Sequence, residues 1–195
     1  KTTLVEGAEL NIASANVIAK GDVTGNGAIN FTALTAKFTA QEDLTIVDKV
    51  NNPNYAIAYL DGTYQYAKYV AQIGEAKYLT LQEAIDAATN DATIVLIESI
   101  EQVDGVLIEN KNIVVDLNEK TFTVTEGANT SNRNFKIIGT SVVTIKNGTM
   151  VAAGDYSSGA YGTVRTEGSA NVTLIGLKLY NYRGNGLNIK ALGGT

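Results

Sequence analysis

The chain has no cysteine, no histidine and no tryptophan, and only one proline and one methionine among its 195 residues. Without cysteine there is neither a disulfide framework nor a thiolate metal site, and the redox compartment stays undetermined. Without histidine the commonest general base and metal ligand is missing, and with it every Ser-His and Cys-His pair. No stretch of about 18 apolar residues is present to cross a bilayer, so membrane insertion is not expected. The Lys1-Thr2-Thr3 start lacks the apolar core of a signal peptide, and a targeting segment for export is expected outside this stretch. Positive charge is sparse: 15 Lys and Arg stand against 20 Asp and Glu, the net charge is −5, and Arg133, Arg165 and Arg183 are isolated. Nucleic acid and anionic lipid need clustered cations, so neither is expected as a main partner.

What is abundant is glycine, with 19 residues, in a chain that is 45% hydrophobic and rich in Val, Ile, Thr, Asn and Ala. Such a chain can bury a core without staples, and its composition predicts many short strands. Residues 1–50 alternate in brief pieces at Ala8–Ile12, Asn16–Lys20, Ala28–Phe31, Leu34–Phe38 and Leu44–Ile46, broken by Gly or Asn-Gly. Residues 53–78 hold six of the ten tyrosines. Within them Asp61-Gly62 separates two alternating runs and predicts a two-residue hairpin, with Tyr59 facing Tyr64 and Ile57 facing Tyr66. The single helix is expected over 80–90: Thr80-Leu81-Gln82-Glu83 reads as a capping box, and Leu81, Ala84, Ile85 and Ala88 form one apolar stripe that ends at Asn90.

The remaining hundred residues return to strands, among them Thr93–Ile97, Asn112–Leu117, Ser141–Ile145 and Asn171–Ile175. Setting Leu117, Ile145 and Leu174 in register gives steps of 28 and 29 residues with similar local sequence, the mark of a solenoid. In a β-helix each coil adds three short strands, and the end coils carry sticky edges unless covered. The apolar stripe of the helix is expected to lie across the first coil. The three zones suggest short coils over 1–50, a Tyr-rich hairpin or linker over 51–78, and a module over 79–195 that opens with the capping helix.

The run from Val70 to Ala88, followed by Thr93–Ile97, Val114–Thr121 and Val143–Thr149, resembles the opening of pectate-lyase-like right-handed β-helix modules in large bacterial surface proteins. The resemblance covers about 70–195 and concerns fold more than activity. It implies an all-β, right-handed parallel β-helix and an extracellular or cell-surface location. Glu119 stands where the family's turn usually has Gly. Residues 1–69 look like the closing coils and terminal hairpin of a preceding module.

Several residues suggest chemistry. Asp22, Asn26 and Asn30 match part of a calcium loop, but its twelfth position is Ala33 in place of a bidentate carboxylate, and a plain Gly-Asn-Gly turn explains the same residues. Lyases on the resembled fold hold Ca²⁺ with acidic residues and take a proton with Lys or Arg. Asp116, Asp155, Glu167 and Arg165 are the candidates here, although no pair of carboxylates recurs at the coil step. Nothing in the spacing singles out a glycosidase pair among the 20 acids. The tyrosines at 55, 59, 64, 66, 69 and 78 offer stacking faces for a sugar, but such a stripe more often packs a hairpin. Tyr156 and Tyr161, in the Gly- and Ser-rich stretch 154–162, and Arg165 are the expected ligand contacts. The sequence therefore predicts a non-catalytic structural or adhesive module without a cofactor. Its expected partners are a second copy or neighbouring modules through open coil ends, and host or environmental glycans. A carbohydrate-binding module or a polysaccharide lyase on the same scaffold is the alternative.

Overall fold

The structure, a computed structural model, describes residues 2–14, 17–125, 134–153, 163–181 and 189–192. It is an all-β arrangement with one helix, and it divides into two compact units, residues 1–68 and 69–195. Its sheets are mixed, with parallel ladders ended by antiparallel pairs.

Unit 1 contains strands β1 (Thr2–Leu4), β2 (Glu9–Ile12), β3 (Val17–Ile18), β4 (Val23–Gly25), β5 (Ala28–Phe31), β6 (Lys37–Thr39), β7 (Ile46–Asp48), β8 (Tyr55–Leu60) and β9 (Thr63–Lys68). Parallel pairing joins β1 to β4, β3 to β6, and β2 to β5 and then β7. Inward side chains of these short strands meet in one core of Ile12, Val23, Ile29, Phe31, Ala36, Phe38 and Tyr64. Asp61 and Gly62 both take positive φ, 49° and 79°, so the hairpin turns as its sequence requires. The hairpin register sets Tyr59 opposite Tyr64 and Ile57 opposite Tyr66, and β9 lies antiparallel on β6. Glycine is obligatory at position 25: its φ is +104°, and a Cβ there would stand 2.0 Å from the Leu4 carbonyl oxygen. Strand β4 crosses the segment expected as a calcium loop, because Val23 is buried while Asp22 and Asn26 are exposed.

Unit 2 opens with β10 (Ala71–Ile73), β11 (Ala76–Tyr78) and α1 (Leu81–Ala87). Thr80 caps the helix: its hydroxyl accepts from Glu83 N–H, and the Glu83 carboxylate accepts from Thr80 N–H. The helix stops short of Asn90 because Ala88 is already extended, with ψ 128°. Strands β12 (Ala92–Leu96), β13 (Ile100–Gln102), β14 (Val106–Glu109), β15 (Asn112–Asp116), β16 (Thr121–Val124), β17 (Phe135–Ile138), β18 (Val142–Ala152), β19 (Val164–Glu167), β20 (Asn171–Asn181) and β21 (Ile189–Leu192) follow. Their alternating burial puts every second side chain inside.

Parallel register stacks those inward residues in columns. Ile94, Val115, Ile145 and Leu174 form one; Ile100, Phe122, Met150 and Leu179 another; Val106, Phe135 and Val164 a third. Phe122 and Phe135 meet edge to face with centroids 5.4 Å apart. Val106 to Phe135 and Phe135 to Val164 are both steps of 29 residues. The expected match of Leu117 with Ile145 is corrected by two residues, since Val115 pairs with Ile145. The reason is local: Leu117–Lys120 turns between two separate strands, whereas Asn147-Gly148 bends one continuous strand. Leu117 packs there, its Cβ only 2.5 Å from where a Cβ on Gly148 would lie. Leu81, Ala84 and Ile85 of α1 join the core of Ile94, Leu96, Val106 and Ile108, so the apolar stripe covers the first strands of the ladders as expected. Strand β10 lies antiparallel against β12 and closes that edge.

Candidate functional site

The face with the most chemistry is the outer side of the four-stranded sheet β14-β17-β19-β21. Because Val106, Phe135 and Val164 point inward, their neighbours Leu107, Lys136 and Arg165 share one outward column, and Lys190 holds the next register position. Strand spacing puts successive members about 4.8 Å apart. Glu167 on the same face accepts an ion pair from the Arg165 guanidinium, and the Lys136 ammonium stands 4.0 Å from its other oxygen. The Arg165 Nε is buried and has no hydrogen-bond partner. The bidentate fork of this arginine is thus only partly used, and two half-exposed cations share one carboxylate.

Arg165 and Glu167 were legible in the sequence, but Lys136 was not singled out. Its signal was the 29-residue spacing shared by Leu107, Lys136 and Arg165. Tyr156, Tyr161 and Asp155 lie outside the described residues.

The other candidates sit in structural settings. Asp116 accepts from Asn118 N–H at 2.9 Å and from Asn147 Nδ2 at 3.2 Å, and pairs with Lys146 at 3.3 Å, which ties one strand turn to the next. Of the calcium-loop residues, Asn30 is buried on β5 and its Nδ2 donates to Asn11 Oδ1 at 2.8 Å. Asp22 and Asn26 face solvent on either side of β4. Among the described residues no three Asp or Glu carboxylates gather as a metal site.

The hairpin tyrosines use their hydroxyls on neighbouring backbone and on one carboxylate. Tyr59 donates to the Ala40 carbonyl at 3.0 Å, Tyr64 accepts from Leu44 N–H at 2.6 Å, and Tyr66 donates to Asp48. Burial, joined by the Asp48 carboxylate, pushes the Tyr66 phenol far above its ordinary value of 10.0. For Asp48 burial acts upward, but the Tyr66 hydroxyl and the N–H groups of Asn51 and Val50 outweigh it and hold the carboxyl below 3.8. These tyrosines fasten the hairpin to unit 1, as the packing alternative expected.

Compared with known proteins, the chain matches no family model, no curated protein and no solved structure.

Proposed function

We propose that this chain is a non-catalytic structural and adhesive module of a bacterial cell-surface or secreted protein, with unit 2 wound as a right-handed parallel β-helix. The observation that carries the reading is the parallel register that runs β14 to β17 to β19 in equal steps, with inward residues stacked at each one. A scaffold of this kind holds its outward face rigid while intervening segments vary. The apolar residues Val172, Leu174, Leu177 and Leu179 of β20 are only partly covered, and among the described residues β20 pairs with β18 alone. They present an edge to a following coil, whether from the same chain, a neighbouring module or a second copy.

A second reading, a carbohydrate-binding module, is favoured by the Lys136, Arg165 and Glu167 face. A glycan array with and without Ca²⁺, paired with an assay for cleaved product, separates the readings. Glycan capture that is weakened at least tenfold by Arg165→Ala, without cleavage, supports the carbohydrate-binding reading, and neither capture nor product supports the structural one. Cleaved product that forms only with added Ca²⁺, or that is lost with Arg165→Ala, supports a lyase. Variants at Tyr156 and Tyr161 test their expected ligand contacts in the same array.

A further inference from the structure

In each unit one strand at the end of a parallel ladder has its outer backbone groups met by a glutamine side chain. Among the described residues, strand β4 pairs with β1 on one side only. On its other side Gln41 Oε1 accepts from Val23 N–H at 3.1 Å, and Gln41 Nε2 donates to the Val23 carbonyl at 2.6 Å. In unit 2, again among the described residues, β14 pairs with β17 on one side only. There Gln82 Oε1 accepts from Leu107 N–H at 2.8 Å, and Gln82 Nε2 donates to the Leu107 carbonyl at 3.0 Å. The same Nε2 also donates to Asp86 Oδ1 at 2.8 Å, which fixes the carboxamide in place.

A carboxamide carries a C=O and an N–H side by side, the donor and acceptor that one residue of an adjacent strand would offer. Alternate residues of β14 and its end turn toward β17: Val106 N–H donates to the Asn134 carbonyl and Asn110 N–H to that of Ile138. The groups of Leu107 and Glu109 therefore face the free side, and Gln82 engages those of Leu107, in the middle of the strand. An apolar strand with a bare edge recruits another strand. Strand β14 reads Val-Leu-Ile-Glu, and its Leu107 is 39% exposed.

We propose that Gln41 and Gln82 are edge plugs that keep β4 and β14 from accepting a strand from a second copy of this chain. The partner excluded is a second copy because every copy carries the same edge, and two identical β14 edges can pair antiparallel about a two-fold axis. Leu107 of β14 also belongs to the outward column of the candidate face, but the inference concerns the hydrogen-bonding edge of that strand and lies apart from the β20 edge, so it does not need the proposed function.

The chain has no cysteine, so Glu109→Cys places one unique thiol on the exposed end of β14. With a flexible bis-maleimide that spans about 15 Å, long enough to bridge the two thiols when the edges pair through Leu107, Gln82→Leu with Glu109→Cys is expected to give at least tenfold more cross-linked dimer than Glu109→Cys alone. In dilute solution its Leu107 amide is expected to exchange at least tenfold faster. Adding Leu107→Pro, which removes the edge-side N–H without touching the ladder to β17, is expected to return the cross-linking to the parent level. Faster exchange without added cross-linking would overturn the proposal, and so would unchanged exchange. If Gln82→Leu does not fold, Gln82→Met carries the same test, since it keeps nearly the side-chain length and loses both the donor to the Leu107 carbonyl and the acceptor of the Leu107 N–H.

Discussion

In unit 1 the antiparallel strands come after the parallel ladder, with β9 laid against β6, whereas in unit 2 they come before it, with β10 laid against β12. Each unit adds a glutamine carboxamide at a remaining edge. The interiors differ more. Unit 2 stacks apolar side chains in columns of up to four; in the longest the first steps are 21 and 22 residues and the later ones 28 to 30, while unit 1 takes steps of 17 to 21 and ties its hairpin down with tyrosine hydroxyls. The difference teaches that longer coils, with more inward apolar residues per level, let packing carry most of the stack, and that shorter ones leave more to hydrogen bonds.

The strongest way to break this comparison is to empty a column. Phe122→Ala removes a fully buried ring from the Phe122–Phe135 pair and is expected to destabilise unit 2 by about 3–5 kcal/mol, read from urea unfolding, with unit 1 signals unmoved. In unit 1 the comparable injury is to the backbone. Gly25→Ala forces a side chain onto the Leu4 carbonyl at a positive φ and is expected to cost at least about 2 kcal/mol.

Tyr66→Phe sharpens the hydrogen-bond half of the contrast. It removes the donor to Asp48 and is expected to destabilise unit 1 by about 1 kcal/mol. The same pair gives unit 1 a pH signature. Asp48 has its pKa lowered on folding, so its contribution is present above the ordinary carboxylate value and is lost as pH falls through the folded value. Tyr66 has its pKa raised, so its contribution is complete below about 10 and is lost as pH rises beyond it. Unit 1 stability is expected to fall at both extremes, and Tyr66→Phe is expected to shrink both losses, leaving the alkaline part that comes from Tyr64, whose phenol burial also raises. Thermal scans from acid to alkaline pH check both limbs. The smallest effect lies in a unit 2 turn: Glu119 takes φ 60°, and Glu119→Gly is expected to stabilise the chain by about 0.5–1 kcal/mol.

These residues also show what the sequence makes legible. The hairpin register and the capping box were readable because short-range chemistry fixes them: Asp-Gly demands one turn, and Thr80 with Glu83 closes one helix end. The step was readable where neighbouring strands share one bend, as with Ile145 and Leu174. It slipped by two residues at Leu117, because turn length between strands is not encoded in hydrophobic pattern. Strands β4 and β10 were missed, since three-residue strands carry little periodicity. Gln41 and Gln82 were invisible as edge partners, because their roles depend on residues 18 and 25 positions away. Lys136 became a neighbour of Arg165 only once the register was known.

The proposed coil stack of unit 2 rests on the parallel ladder that puts Leu107, Lys136 and Arg165 on successive strands of one outward face. With no native cysteine to remove, nitroxide pairs at 107/136 and 107/165 report it directly through dipolar line broadening. The stack predicts strong broadening for 107/136, one strand spacing of about 5 Å, and weaker broadening for 107/165, two spacings of about 10 Å. Equal broadening for the two pairs, or none for 107/136, would contradict it.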